Sequence, residues 1–182
     1  FFKEITKAWE TKFGQLQRTL RDKKIPTIVL LEGWETAGKG SVLSNILLNL
    51  DPRGYWVHNI VKPTREEKLR PYLWRFWTKL PGYGEIAFFN HSWYWPLIET
   101  AFNEEWSFQK IKNELEEIKT FERHIIDDGI ILIKIFLHIS KEEQKKRFKK
   151  LKNDPATEWR AKGTYKKLLK AYDKLYHIIN FV

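Results

Sequence analysis

Gly33, Gly38 and Lys39 fit the spacing G-x-x-x-x-G-K, and the stretch from Glu32 that holds them follows directly on the apolar run Ile28-Val29-Leu30-Leu31. A buried strand running into such a loop, and then into a helix, is a phosphate cradle. The glycines let successive backbone N–H groups of Thr36, Ala37, Gly38, Gly40 and Ser41 turn toward one anion. Lys39 adds a charge, and the next helix adds its N-terminal dipole. One position is off pattern. Gly40 stands where the usual loop carries the Ser or Thr that binds magnesium, and Ser41 follows one place later.

Phosphoryl transfer needs more than a cradle. It also needs a magnesium ion held by oxygens and cations around the transferring group. Ligands in open parallel sheets bind at the carboxyl ends of strands. That rule gathers the glycine loop after a first strand, Lys62-Pro63 after a second, and Asn90-His91-Ser92 after a third. Glu35 and Asn90 are the oxygen donors placed to face Mg2+, directly or through water. Further cations are offered by the basic stretch Lys145 to Lys152, with Arg147 inside it, and by Arg160 beyond it. The same stretch could equally be a solvated helix face. Arg70 and Arg75 sit among Trp74, Phe76, Trp77, Trp93, Tyr94 and Trp95 and could reach phosphate or simply snorkel. The aromatic residues read as core, with some able to stack on a base. His91 taken alone reads as structural, and Glu122-Arg123 and Asp127-Asp128 as helix-end ion pairs or caps.

The elements that position these groups follow from periodicity. Phe2, Ile5, Trp9, Phe13, Leu16 and Leu20 step by three and four and predict an amphipathic packing helix. Pro26 opens the first strand, and Ser41 to Leu50 is the helix after the loop, ended by the turn Asp51-Pro52-Arg53-Gly54. Tyr55 to Val61 is the second strand. Pro63-Thr64 opens a helix that is expected to run to about Leu80, with Leu69, Leu73, Phe76 and Leu80 on one face. Ile86 to Phe89 is a short buried strand, and a long helix covers about Phe108 to Asp127. The nearly unbroken apolar run Ile130 to Ile139 reads as a central parallel strand. Ser140-Lys141-Glu142-Glu143 has capping-box form and opens the basic helix. A last helix is expected from Thr164 to Ile179. This alternation predicts a three-layer α/β domain built on a parallel sheet.

The 182 residues suffice for one domain with a substantial core, and their 42% hydrophobic and 31% charged content is that of a soluble globular protein. No apolar run approaches the ~20 residues of a membrane span. The chain has no cysteine, which excludes disulfides and thiolate metal sites and suits a cytoplasmic protein. A formal charge of +10 points to a polyanionic partner. There is also no Met, the initiator included, which reads as a fragment or as positions closed up silently.

Gly33-Trp34-Glu35-Thr36-Ala37-Gly38-Lys39-Gly40 resembles the modified Walker A loop of the polyphosphate kinase 2 family, where glycine after the lysine is the usual form. Further matches run in family order: Asp51-Pro52-Arg53-Gly54, Trp74-Arg75-Phe76 with Leu80-Pro81, Gly84-Glu85-Ile86-Ala87, and Ser92-Trp93-Tyr94. They continue through Phe121-Glu122-Arg123, Asp127-Asp128-Gly129, Lys134 with Leu137-His138-Ile139-Ser140, Gln144 with Arg147-Phe148, and Asp154-Pro155 with Trp159-Arg160. The resemblance implies a P-loop kinase fold similar to thymidylate kinase, with a parallel sheet, an N-terminal helix and a helical lid over about 140–162. It implies one such domain over 1–182, alone or as a piece of a longer chain. The activity implied is Mg2+-dependent phosphoryl transfer between inorganic polyphosphate and a nucleoside mono- or diphosphate, so AMP, ADP and ATP are the expected partners and nucleic acid and membrane are not. A homo-oligomer or a fused sister domain is the implied assembly.

Three departures stand out. The family usually has Asp where this chain has Glu35, Asp-Arg where it has Asn90-His91, and a second lid arginine where it has Leu151. An amide can coordinate magnesium through its oxygen but lacks the negative charge, and an imidazole is not a fixed cation. A degenerate domain that binds polyphosphate or nucleotide without turnover is therefore the alternative.

Overall fold

Strands β1 (Thr27–Gly33), β2 (Tyr55–Asn59), β3 (Ile86–Asn90) and β4 (Ile131–Leu137) pair in parallel in the order β2-β3-β1-β4. The computed structural model describes residues 2–97 and 107–153. Arg160, the Asp154-Pro155 and Trp159-Arg160 motifs, the end of the expected lid and the expected helix from Thr164 lie outside the described residues.

The sheet separates two cores because strand side chains alternate between faces. Ile28 and Leu30 of β1 and Ala87 and Phe89 of β3 face one layer, packed with Phe76, Trp93, Ile118, Phe121 and Ile125. Val29, Leu31, Ile86 and Phe88 face the other, packed with Leu20 and Leu43. All seven β1 residues are buried, as a strand covered on both faces must be. Helices α1 (Phe2–Asp22) and α2 (Lys39–Leu47) supply one layer, and α5 (Phe108–Asp127) the other. Gly129, at φ 88°, ends α5 in a Schellman motif, with Gly129 N–H donating to Ile126 O and Ile130 N–H to Ile125 O. Helix α6 (Lys141–Lys152) follows β4, and the Ser140 hydroxyl caps it by accepting from Glu143 N–H at 3.2 Å.

Several sequence expectations need correction. The single helix predicted from Pro63-Thr64 to Leu80 is two short ones, α3 (Arg65–Lys68) and α4 (Trp74–Trp77). Pro71 has no N–H to donate and disfavours helical geometry at Arg70, so the first helix stops and Leu69 is left exposed. Strand β4 is an edge strand of the sheet formed by the described residues rather than a central one. Its burial agrees: Ile131 and Ile133 are exposed and no residue of β4 is fully buried, so an apolar run does not by itself report a central strand. Among the described side chains of helix α1, Gln17 and Leu20 are buried, whereas Trp9 and Leu16, on the predicted apolar face, are half exposed. The Gln17 amide accepts from Asp51 N–H and donates to Asp51 O, tying α1 to the turn before β2. No helix among the described residues is long and apolar enough to cross a membrane.

Candidate functional site

A cavity of about 1380 Å³ opens at the carboxyl ends of the strands. Its wall includes Glu35, Thr36, Gly38, Lys39, Gly40 and Ser41 from the glycine loop, Asn90 and His91 from the end of β3, Asn59 from β2, and Arg147 and Lys150 from α6. The order β2-β3-β1-β4 is what collects them: β1 lies beside β3, so the loop after one faces the turn after the other.

The loop owes its path to its glycines. Gly33 sits at φ 134°, and a Cβ there would lie 2.3 Å from the Leu137 carbonyl oxygen, so only glycine lets β1 stay paired with β4 at that point. Thr36 (φ 64°) and Gly38 (φ 100°) then turn the chain through left-handed conformations into α2. Gly38 is the N-cap and offers no side-chain cap. The first helical hydrogen bond of α2 is Val42 N–H to Gly38 O, so the amides of Lys39, Gly40 and Ser41 precede the helical ladder, beside the cavity.

The loop carbonyls are treated differently from these amides. Lys39 Nζ donates to Gly33 O at 2.9 Å and Trp34 O at 3.2 Å. Gln144 Nε2 donates to Glu35 O at 3.0 Å, and Arg147 Nη1 to Thr36 O at 3.2 Å and Ala37 O at 3.3 Å. Side chains from the loop itself and from α6 thus satisfy every carbonyl from Gly33 to Ala37. Arg147 Nε is held by Glu143 at 2.7 Å, and that hydrogen bond keeps the Glu143 carboxyl below the usual carboxylate range.

His91 lies between two carboxylates. Its Nδ1 is 3.6 Å from Glu32 Oε2, its Nε2 is 3.8 Å from Glu35 Oε1, and its ring stacks on Trp95 at 4.1 Å. Lys39 Nζ is 3.9 Å from the same Glu35 oxygen. The turn that carries His91 is fastened from both sides. Glu32, only 2% exposed, accepts from Ser92 N–H and Ser92 Oγ, each at 2.6 Å. Glu122 accepts from Trp93 Nε1 at 2.9 Å and Tyr94 OH at 2.8 Å, and pairs with Lys134 at 2.5 Å. Burial and the Glu122 charge push the Tyr94 hydroxyl up, so it stays a donor. Glu122 is therefore an interior acceptor and not a helix-end group.

The donor set fits a magnesium ion. Asn90 Oδ1 and Thr36 Oγ1 are buried and have no hydrogen-bond partner, and the Glu35 carboxylate stands on the same wall. No group of three or more His, Asp or Glu among the described residues could hold a metal unaided. Magnesium does not require one, since it keeps several waters and binds through one or two protein oxygens together with substrate phosphates.

Two residues expected at phosphate are elsewhere. Arg75 is 6% exposed and off the cavity wall; its Nε faces Glu67 at 3.3 Å and its Nη2 donates to Val61 O at 3.0 Å. The turn of α4 puts it inward beside Phe76, where Glu67 neutralises it. Lys62 is exposed and also off the wall. Conversely, the structure brings Glu32, Gln144 and Asn59 to the site, none of them among the residues expected there. For Glu32 a signal exists, namely a carboxylate directly after the apolar run Ile28-Val29-Leu30-Leu31.

A family model described as polyphosphate kinase 2 matches residues 2–178. A polyphosphate:AMP phosphotransferase of Pseudomonas aeruginosa is 32% identical over 154 residues, which are 85% of this chain and 31% of that protein. An ADP-polyphosphate phosphotransferase 3 of Rhizobium meliloti is 34% identical over 161 residues, 88% of this chain and 56% of the relative. The chain thus spans about a third to a little over half of these curated relatives. The crystal structure of polyphosphate kinase 2 from Arthrobacter aurescens TC1 superposes with a TM-score of 0.83 at 27% identity, covering 93% of this chain and 61% of that one. The parallel sheet layered between helices is accordingly the P-loop kinase fold.

Proposed function

Because this chain belongs to the polyphosphate kinase 2 family, we propose that it transfers a phosphoryl group between inorganic polyphosphate and a nucleoside mono- or diphosphate, AMP or ADP. The observation that carries this reading is the cavity at the N-terminus of α2. There an uncapped first turn and the Lys39 ammonium meet Arg147 from α6 and the oxygens of Glu35 and Asn90.

In this reading the amides from Thr36 to Ser41 and Lys39 cradle a phosphate group, with Gly33 and Gly38 shaping the loop. Glu35 and Asn90 hold Mg2+, which when bound neutralises charge on the phosphate oxygens. Lys39 and Arg147 now rest on loop carbonyls, and both would re-aim at phosphate oxygens, which are stronger acceptors for a cation. His91 faces the transferring group with its ring braced on Trp95. Lys62 serves only at longer range, through its charge.

A second reading is favoured by Asn90 and His91, which supply neither the carboxylate nor the fixed cation expected there: a domain that holds polyphosphate or nucleotide without transferring phosphate. One experiment separates the two. The purified chain is incubated with long-chain polyphosphate and Mg2+, and with AMP or ADP in separate reactions, and the ADP and ATP formed are measured. Product above a Lys39→Ala control supports transfer. Polyphosphate binding without product from either acceptor leaves the binding domain.

A further inference from the structure

Asn90 and Asn59 are register partners at the ends of β3 and β2. Asn90 Nδ2 donates to Asn59 Oδ1 at 2.9 Å. The other end of the same amide, Asn90 Oδ1, is buried and has no hydrogen-bond partner. Both residues line the phosphate cavity.

A carboxylate and a carboxamide differ in what they demand of a neighbour. A carboxylate presents an acceptor whichever way it turns. A carboxamide has one acceptor end and one donor end, and only the acceptor end can bind a cation. Turned the wrong way, Asn90 would aim two N–H groups at a cation, losing a ligand and adding repulsion. Its orientation must therefore be set from outside, as the partners of metal ligands commonly set their ligands.

We propose that Asn59 is a positioning residue that accepts from Asn90 Nδ2 and so commits Asn90 Oδ1 to a divalent cation in the cavity. This rests on the magnesium reading above. With Asn59 Oδ1 accepting from Asn90 Nδ2, Asn90 offers its oxygen to the cavity; without that acceptor nothing holds the oxygen toward a cation. The pair is thus a device by which an amide stands in for a carboxylate, and it becomes superfluous once a carboxylate is restored.

The test is a cycle of Asn59→Leu and Asn90→Asp, alone and combined, read as the affinity for Mn2+ alone by electron paramagnetic resonance, with circular dichroism confirming that each variant folds. Asn59→Leu carries no charge change and sits on an exposed strand end. It should weaken Mn2+ binding about tenfold in the native background, the scale of losing a partner that orients a metal ligand. In the Asn90→Asp background it should weaken binding less than about twofold, because both oxygens of a carboxylate can serve. Equal weakening in both backgrounds, or none in the native one, overturns the positioning role. An Asn90→Ala variant that binds Mn2+ as well as the native chain overturns the magnesium reading itself, and with it the proposal.

Discussion

Gln144 on α6 donates its side-chain amide to the Glu35 carbonyl at 3.0 Å, across a sequence separation of 109 residues. Gln144 is 3% exposed, so this bond seats α6 on the glycine loop from a dry position. Arg147, one turn further on, makes the neighbouring contacts to Thr36 O and Ala37 O. Arg147 carries a charge that a phosphate would attract; Gln144 is neutral and has no such reason to leave.

Gln144→Ala should therefore unseat α6. A net hydrogen bond contributes about 1 kcal/mol, and leaving its acceptor unsatisfied raises the cost of the substitution to at most about 1–3 kcal/mol. Hydrogen exchange should quicken in 141–152 and in the loop, with little change in β1 or β3. Uniform quickening across the sheet would mean that Gln144 stabilises the whole fold and does not serve specifically to seat α6.

Gly33 and Gly40 belong to one motif but face opposite constraints. A Cβ on Gly33 would strike Leu137 backbone at 2.3 Å, whereas a Cβ on Gly40 meets nothing within 4 Å. Gly33→Ala should lower stability by roughly 2–3 kcal/mol or prevent folding, through overpacking and an unfavourable φ. Gly40→Ala should raise thermal stability slightly, since alanine is favoured over glycine within a helix by about 1 kcal/mol. It should also weaken binding of tripolyphosphate, because the added methyl enters the cradle. Unfolding curves with and without tripolyphosphate read both effects. A Gly40→Ala chain that binds the anion unchanged would remove the amides beside residue 40 from the cradle.

The parts of this molecule legible in its sequence are those written in local pattern. The strand before Gly33, the uncapped helix after it and the long helix ending at Gly129 are all set by residues a few positions apart. The parts that were not legible depend on distant pairing. Nothing near Gln144 marks it as a partner of the Glu35 carbonyl, and nothing near Asn59 marks its contact with Asn90. Arg75 shows a related difficulty: an arginine among tryptophans has the right chemistry for phosphate, and only the turn of α4 decides that it meets Glu67 instead.

Glu67 and Arg75 make an acid-sensitive brace. Burial pushes the Glu67 carboxyl up, but the Thr64 N–H and the charges of Arg75 and Lys79 outweigh it, so the group ends below its ordinary 4.5. A carboxylate depressed in the folded state stabilises above its unfolded value and loses that contribution as pH falls through its folded one. Glu67→Gln should therefore cost stability at pH 7, with the gap to the native chain closing as pH falls below the ordinary glutamate range. Arg75→Ala should also cost stability at pH 7, because it leaves the Glu67 carboxylate with only Lys79 at 3.7 Å and the Thr64 N–H. Its tripolyphosphate affinity, measured on the folded fraction, should not change. Selective loss of anion affinity in a stable Arg75→Ala chain would return Arg75 to the phosphate site.

His91 stands at φ 61° between Glu32 and Glu35, where a permanently charged side chain would meet two carboxylates at once. An imidazole, unlike a guanidinium, is not a permanently charged side chain. His91→Arg should supply one, and the two carboxylates should hold the guanidinium without loss of stability. If the transfer reading holds, ADP or ATP formation from polyphosphate should rise by about tenfold, equal to about 1.4 kcal/mol of barrier. Combining it with Asn90→Asp, which restores charge at the metal, should raise it further. The measurement is turnover at saturating polyphosphate beside a melting temperature for each variant. Unchanged turnover with an unchanged melting temperature would place the limit on this site elsewhere, in Glu35 or in the seating of α6.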